Sequence, residues 1–371
     1  MNHSFPLVFA CTFRHSSFAS LIRHSNPRIA IFLFSIFYFL LTLTGCGNRT
    51  IRIDLVPTAD PLTPQIVESS DAGLFTSDKI ALINVSGMIS NSKSGGILGG
   101  GSNPVSEFRQ TLDAIAKDNS VKAVVLRINS PGGTVTASDI MYRDLLAFKA
   151  KTHKPVITSM LDICASGGYY LSCASDYRIA YPTTITGSIG VIVETVNING
   201  TLHKLGIASE AVKSGPNKDM ASPFKPAESP DKPLTDNDRE LLQKLVNDFY
   251  AGFKGIVKAS PNKITDKDWP MVTDGRIVTG KDAATLGLID QTGTLDDALA
   301  KAKELAHIQK AKVIIYTRTG DYKGSAYAHA PVGQGPTQVN MLNLNVDLGD
   351  ILPRGQSQFL YLWTGFDTQD Q

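Results

Sequence analysis

The run Pro155-Val156-Ile157-Thr158-Ser159-Met160, followed closely by Cys164-Ala165-Ser166-Gly167-Gly168-Tyr169-Tyr170, decides how the rest of the chain is read. The first piece is short, apolar and bounded by a proline, as a buried strand often is. The second opens an apolar, helix-compatible segment, so Ser166 falls at a strand-to-helix turn. A hydroxyl there stands at the rim of a sheet, the glycine pair lets another backbone come close, and the first helical amides lack intrahelical acceptors. Two readings fit. Ser166 is a nucleophile beside donors for a developing negative charge, or it is a serine that caps the helix.

Working outward, the same alternation recurs. Ile80 to Val85 reads as a buried strand, and Val105, Phe108, Leu112 and Ile115 stand at helical spacing. Lys122 to Ile128 is again a strand. It leads into the turn Asn129-Ser130-Pro131-Gly132-Gly133-Thr134 and a helix carrying Ile140, Leu145, Leu146 and Phe148. Further short strands are expected at Tyr177 to Ala180 and Ile189 to Val193. Strand, helix, strand in this order is the signature of an α/β protein, and a Gly-Gly turn at a strand's carboxyl end is where such sheets build sites. The loop from Ser90 to Ser102 contains Gly99-Gly100-Gly101 but no following Lys-Ser or Lys-Thr, so it lacks the marks of a phosphate loop.

Downstream, residues 213 to 233 form a long loop rich in Lys, Pro and Ser, and loops of that length inside a domain are commonly functional or disordered. Thr235 then caps a helix with Leu242, Leu245, Val246, Phe249, Phe253 and Ile256 on one face. Asp274 to Gly280 is a turn and short strand. Helices follow to Gly287 and from Thr294 to about His307, with a last strand at Val313 to Tyr316. Residues 320 to 371 are polar and Gly-rich until Phe359-Leu360-Tyr361-Leu362-Trp363.

With 371 residues, 42% of them hydrophobic, and a net charge of +2, the chain can bury a sizeable core and has no global attraction to nucleic acid. Residues 1 to 53 are separate in character. They hold no Asp or Glu, carry Arg14, Arg23 and Arg28, and run apolar from Ile29 to Leu43, as an export or anchoring segment does. Leu43-Thr44-Gly45-Cys46 resembles the lipobox of bacterial lipoproteins, which makes Cys46 the lipidated residue. An uncleaved signal anchor is the competing reading. Basic residues ahead of the apolar run place the remainder in the cell envelope, membrane-attached and outside the cytoplasm. The expected organisation is a leader over 1–46, a linker over 47–78, one catalytic domain over 79–318 and a tail over 319–371. Cys164 and Cys173, nine apart, are expected to be small buried residues rather than a bridge or a nucleophile.

A serine needs a base. Three of the seven histidines fall in the leader and none stands in a motif, and Cys164 occupies the first glycine position of a Gly-x-Ser-x-Gly elbow. Lysine is the other candidate if its environment favours the neutral amine. The long loop offers Lys213, Lys218, Lys225 and Lys232, and residue types alone do not choose among them.

Five motifs in order bear on the choice: Ser130-Pro131-Gly132-Gly133, Ala165-Ser166-Gly167-Gly168-Tyr169-Tyr170, Thr186-Gly187-Ser188-Ile189-Gly190-Val191, Lys213-Ser214-Gly215-Pro216-Asn217-Lys218-Asp219, and Asp274-Gly275-Arg276 through Gly287-Leu288-Ile289-Asp290. Together, over roughly residues 79 to 310, they resemble the short form of the signal peptide peptidase A (protease IV) family. The resemblance implies a crotonase/Clp-protease-like fold, with ββα repeats forming a spiral, and a serine peptidase with a Ser-Lys dyad. It implies Ser166 as nucleophile, Lys218 as general base and Ser188 as the residue orienting that lysine. The oxyanion hole would be built by backbone N–H groups of Gly132 or Gly133 and of Gly167. It further implies a homo-oligomeric ring whose sites combine Ser and Lys of neighbouring protomers, peptide substrates such as cleaved signal peptides, and no metal, nucleotide or other cofactor. The chain departs from the family pattern at Cys164, where Ala is usual, in a longer stretch over 225–233, and in a lipobox where a transmembrane anchor is more common. Two alternatives compete: a non-catalytic scaffold or chaperone-like ring on the same fold, and an acyl-CoA enzyme, for which no adenine pocket or carboxylates near the Gly turn are visible.

Overall fold

The computed structural model describes residues 62–68, 76–92, 103–229, 232–318 and 359–362. The apolar leader and Cys46 lie outside the described residues, as does most of the tail. In chain order the strands are β1 (Thr63–Glu68), β2 (Lys79–Ser86), β3 (Val121–Ser130), β4 (Gly132–Thr134), β5 (Val156–Ala165), β6 (Tyr177–Ala180), β7 (Ile185–Gly187), β8 (Ile192–Val193), β9 (Ile277–Thr279), β10 (Gln291–Thr292), β11 (Lys312–Thr317) and β12 (Phe359–Leu362). The helices are α1 (Pro104–Lys117), α2 (Val135–Thr152), α3 (Gly167–Ser172), α4 (Asn199–Lys204), α5 (Asp236–Ala259), α6 (Trp269–Val272), α7 (Gly280–Thr285) and α8 (Leu295–Leu305).

The main sheet runs β1-β11-β2-β3-β5-β6-β10, with β7 paired to β5 and β9 to β7. Pairing from β11 to β10 is parallel, and β1 and β9 add antiparallel edges. The α/β expectation therefore holds, with a mixed sheet. Alternate residues of β2 and β3 explain the unbroken apolar runs. Ala81, Ile83, Val85, Val124, Leu126 and Ile128 face a core shared with α1 and α2, whereas Ile80, Leu82, Ala123 and Val125 face one built with α8. A strand covered on both faces has no polar side to show.

Local signals in the sequence carry the helix starts. Thr235 accepts from the Asp238 amide at 3.2 Å, and Thr294 and Asp297 form a reciprocal capping box ahead of α8. Three expectations shift. Residues 63–68, read as linker, form β1 on the edge of the sheet against β11. The strand expected at Ile189 to Val193 shortens to β8, Ile192–Val193, and an unexpected strand, β7, precedes it and ends at Gly187, because Gly187 and Ser188 have φ of 85° and 52° and cannot continue an extended chain. In α2 the inward face carries Met141, Tyr142, Leu145 and Phe148, and Leu146 is exposed. Cys164 and Cys173 are free and buried, as expected.

Candidate active site

Because the central strands are parallel, their carboxyl ends share one rim, and the candidate residues gather there. Strand β5 runs to Ala165, whose register partner is Gly187, the last residue of β7. Ser166 and Ser188 are thus the next residues of two adjacent parallel strands, about 4.8 Å apart in the pairing direction.

Ser166 has φ 51° and ψ −112°, outside the conformations an L-residue readily adopts. A backbone held there costs roughly 1–3 kcal/mol. It persists because both sides are pinned: the Ser166 amide donates to the Gly187 carbonyl at 2.8 Å, and the Ser166 carbonyl accepts from the Tyr170 amide at 2.8 Å, starting α3. The side chain makes no capping bond to α3, which removes the bland reading of this serine. Ser188 is held by its amide to the Arg276 carbonyl at 2.7 Å and is almost fully buried. Neither hydroxyl has a hydrogen-bond partner among the described residues.

The Gly132-Gly133 turn lies against the same point. Ser130 fixes it, donating from its hydroxyl to the Gly87 carbonyl at 2.7 Å and accepting from the Gly132 amide at 3.1 Å. The Ile89 amide donates to the Gly132 carbonyl, and the Thr134 amide to the Ile89 carbonyl. Backbone groups alternate sides along a strand, so the N–H of Gly133 faces the opposite way, into the site. A Cβ on Gly167 would sit 3.1 Å from that Gly133 nitrogen and 2.5 Å from the Ser138 hydroxyl. Gly132, at φ 109°, has its own Cβ direction 2.7 Å from the Gly167 nitrogen. Only glycine lets these two backbones approach so closely. The result is two peptide segments converging beside Ser166.

The lysine loop is positioned from beneath by asparagines. Asn197 donates to the carbonyls of Lys225 (2.9 Å) and Pro233 (3.0 Å), Asn199 to that of Phe224 (2.8 Å), and the Ile198 amide to Pro223 (2.8 Å). Among its four lysines, Lys225 grips both oxygens of the buried Asp238 at 2.9 and 2.7 Å, Lys213 pairs with Asp219, and Lys232 lies near Glu228 and Asp236. Lys213 holds the Asp219 carboxyl below the usual carboxylate range. Lys218 alone of the four has no ion pair among the described residues, and it is exposed. No hydrogen bond joins it to Ser166 or Ser188. The structure therefore brings together Ser166, Ser188, Gly132, Gly133 and Gly167, and among the described residues no hydrogen bond ties Lys218 to them.

Other chemistry is poorly placed. Burial raises the thiols of Cys164 and Cys173, disfavouring thiolates. Among the described residues no group of three or more His, Cys, Asp or Glu could hold a metal ion. An open surface depression lined by Thr76, Asp78, His307 and Lys310 lies at the amino ends of β2 and β11, the opposite rim from Ser166.

One occupant of the site was not anticipated. Strand β12 lies between β4 and β8 in a second, three-stranded sheet, antiparallel to both, with Tyr361 opposite Gly133. The only signal in the sequence was an apolar run, Phe359 to Trp363, isolated in a polar tail.

The profile of peptidase family S49 matches residues 148–309. A Methanocaldococcus jannaschii chain assigned as a protease is 32% identical over 291 residues, which are 78% of this chain and 86% of the relative. An Enterococcus faecium chain assigned as a signal peptide peptidase SppA is 36% identical, covering 64% of this chain and 67% of its own length. Protease 4 of Salmonella typhi is 35% identical over 63% of this chain, which spans only 36% of that longer protein. Among solved structures, a serine-to-alanine mutant of the 1510-N membrane-bound stomatin-specific protease superposes with a TM-score of 0.42 at 13% identity, over 65% of this chain and 99% of the other.

Proposed function

The chain belongs to peptidase family S49 and is an SppA-like serine peptidase, and from that premise we propose that it cleaves apolar peptides with a Ser166–Lys218 dyad. The observation carrying the assignment of Ser166 is its backbone: a strained turn whose hydroxyl neither caps the helix nor bonds to any other of the described residues, beside two converging glycine segments. Strain at a rigidly determined position, with a polar group left unused, is how a nucleophile is held ready.

In the proposed reaction the Ser166 oxygen attacks the scissile carbonyl and its proton passes to the Lys218 amine. The oxyanion is met by the amides of Gly133 and Gly167. The carbon–nitrogen bond then breaks, Lys218 returns the proton to the leaving amine, and water hydrolyses the acyl-enzyme to restore Ser166. Ser188, one strand over, orients the lysine. Lys218 is exposed, and among the described residues it has no ion pair and no hydrogen bond to Ser166, which supports a ring in which a neighbouring protomer supplies it. The neighbour's burial of the amine would then make it a competent base. Remnant signal peptides are the proposed substrates, met at a membrane to which Cys46 or the apolar leader tethers the chain in the cell envelope. Among the described residues no helix is long and apolar enough to cross a membrane.

The test is hydrolysis of a Leu- or small-residue peptide ester by the purified oligomer. Wild type should turn over, and Ser166→Ala and Lys218→Ala should not. Equal rates in all three would sink the dyad, and no turnover by wild type would favour a non-catalytic ring.

A further inference from the structure

Lys218 sits on no helix or strand. The chain from Gly215 to Lys225 is a run of overlapping tight turns, closed by the amides of Lys218 to the Gly215 carbonyl (3.2 Å), Met220 to Asn217 (3.2 Å), Ser222 to Asp219 (3.0 Å) and Lys225 to Ser222 (3.2 Å). Each bond fixes four neighbouring residues and does nothing to register them against the rest of the molecule. A proton acceptor must nevertheless be held closely in place, since a displacement of about 1 Å can cost on the order of 100-fold in rate. Ser166 has that precision from two paired strands, and the lysine must take it from side chains.

The residues on either side of Lys218 supply them. Asn217, immediately before it, accepts at its side-chain oxygen from the Asn237 side-chain amide at 2.9 Å. Asp219, immediately after it, is gripped from two directions. Lys213 donates to Oδ2, and Oδ1, buried and without a hydrogen bond among the described residues, faces the Lys225 ammonium at 3.7 Å. Lys225 in turn donates to both oxygens of Asp238, which is 1% exposed. Asn237 and Asp238 are consecutive in the first turn of α5, a 24-residue helix that the Thr235 cap starts and that Leu242, Phe253 and Val257 root in the core. Both attachments therefore end on one rigid element. No ion pair joins Asp219 to Lys218 among the described residues, so the carboxylate anchors the turn without capturing the amine beside it.

We propose that Asn237 and Asp219 are positioning residues for the base: the amino end of α5 clamps the chain on both sides of Lys218, once through Asn217 and once through Asp219 and Lys225, and so fixes where the amine is presented. The inference deepens the dyad reading and rests on it for the role of Lys218. Every member of the clamp belongs to one chain, so it acts in the same way whether the amine serves its own Ser166 or that of a neighbouring protomer.

The test is the rate at which a small alkyl fluorophosphonate labels Ser166 in the full-chain oligomer, followed by intact mass, because this reaction calls on the base but on no bound peptide. Asn237→Ala and Asp219→Ala should each slow labelling about 10-fold, and together about 100-fold. Asp219→Asn, which keeps the side chain's shape, takes the place of Asp219→Ala if the alanine variant does not assemble. Lys232→Met loses only surface ion pairs of the same loop and should label at the wild-type rate. The deciding comparison is made in a Lys218→Ala background. There the clamp substitutions should have no further effect on the slow residual labelling, whereas residues that merely support the fold around Ser166 would slow it again. Clamp variants that label as fast as wild type, or that slow labelling equally with Lys218 removed, would overturn the clamp and leave the dyad standing. Wild-type labelling by Lys218→Ala itself would overturn the dyad, and the clamp with it, so the two failures are told apart.

Discussion

Ser166 and Ser188 occupy equivalent positions on adjacent parallel strands: each follows the last paired residue of its strand, and each has a positive φ, 51° and 52°. The link between them is a main-chain bond from the Ser166 amide to the carbonyl of Gly187. Two hydroxyls are thereby presented side by side at the sheet rim by backbone alone, without depending on flexible side-chain contacts. If Ser188 orients the base, as proposed, Ser188→Ala should lower kcat more than it changes KM, measured with a peptide ester, because it would alter the orientation of the base and not the binding of peptide.

Strain at Ser166 separates stability from activity. Ser166→Gly removes both the hydroxyl and the penalty for a side chain at this φ and ψ. Activity should fall by at least about 1,000-fold, and stability to urea should rise by about 1 kcal/mol, the strain relieved exceeding the added entropy of glycine. Comparing midpoints for Ser166→Gly and Ser166→Ala isolates the backbone contribution. A glycine variant less stable than the alanine one would refute the strain.

The lysines of the loop should divide by role. Lys218→Met should abolish turnover while changing stability by no more than about 0.5 kcal/mol, since nothing among the described residues depends on it. Lys225→Met strands the buried Asp238 carboxylate and should cost about 3 kcal/mol. Thermal or urea unfolding alongside turnover distinguishes the two.

If neighbouring protomers share each site, inactive Ser166→Ala and inactive Lys218→Ala chains should complement one another. Mixing and reassembling them should restore activity, because some interfaces join an intact Ser166 to an intact Lys218. Mixed rings that stay as inactive as either parent would show that each chain supplies both groups itself.

Gly167 tests the convergence of the two glycine segments. Gly167→Ala should cost about 1–3 kcal/mol, its methyl falling 2.5 Å from the Ser138 hydroxyl. Adding Ser138→Gly should recover stability. Activity should not return, because the same methyl still lies 3.1 Å from the Gly133 nitrogen where the oxyanion would form.

Acid should loosen the lysine loop. Asp219 is depressed by its hydrogen bond from Lys213, so its contribution is fully present above the ordinary carboxylate value of about 3.9 and fades as pH falls through the lower folded value. Hydrogen exchange over residues 213–225, corrected for intrinsic rates, should rise in that window, and Asp219→Asn should show the looser behaviour already at neutral pH.

The sequence by itself determined the α/β class, the strand-to-helix turn at Ser166, the Gly-Gly turn and the helix caps at Thr235 and Thr294. These are local: apolar runs, glycine pairs and capping residues act over a few positions, and a buried strand or a helix start is visible wherever it occurs. The four loop lysines looked alike in sequence because what distinguishes them is distant. Lys225 is held by Asp238 on the next helix, and Lys218 has no ion pair among the described residues. Tertiary structure alone decided that Ser166 does not cap its helix, because a cap and a strained rim residue share the same residue type and differ only in φ and ψ. It alone carried Tyr361 across more than a hundred residues to Phe253 and Gly133. A strand that completes someone else's edge leaves no periodic trace of its partner, and its place is set only when the slot that receives it has formed.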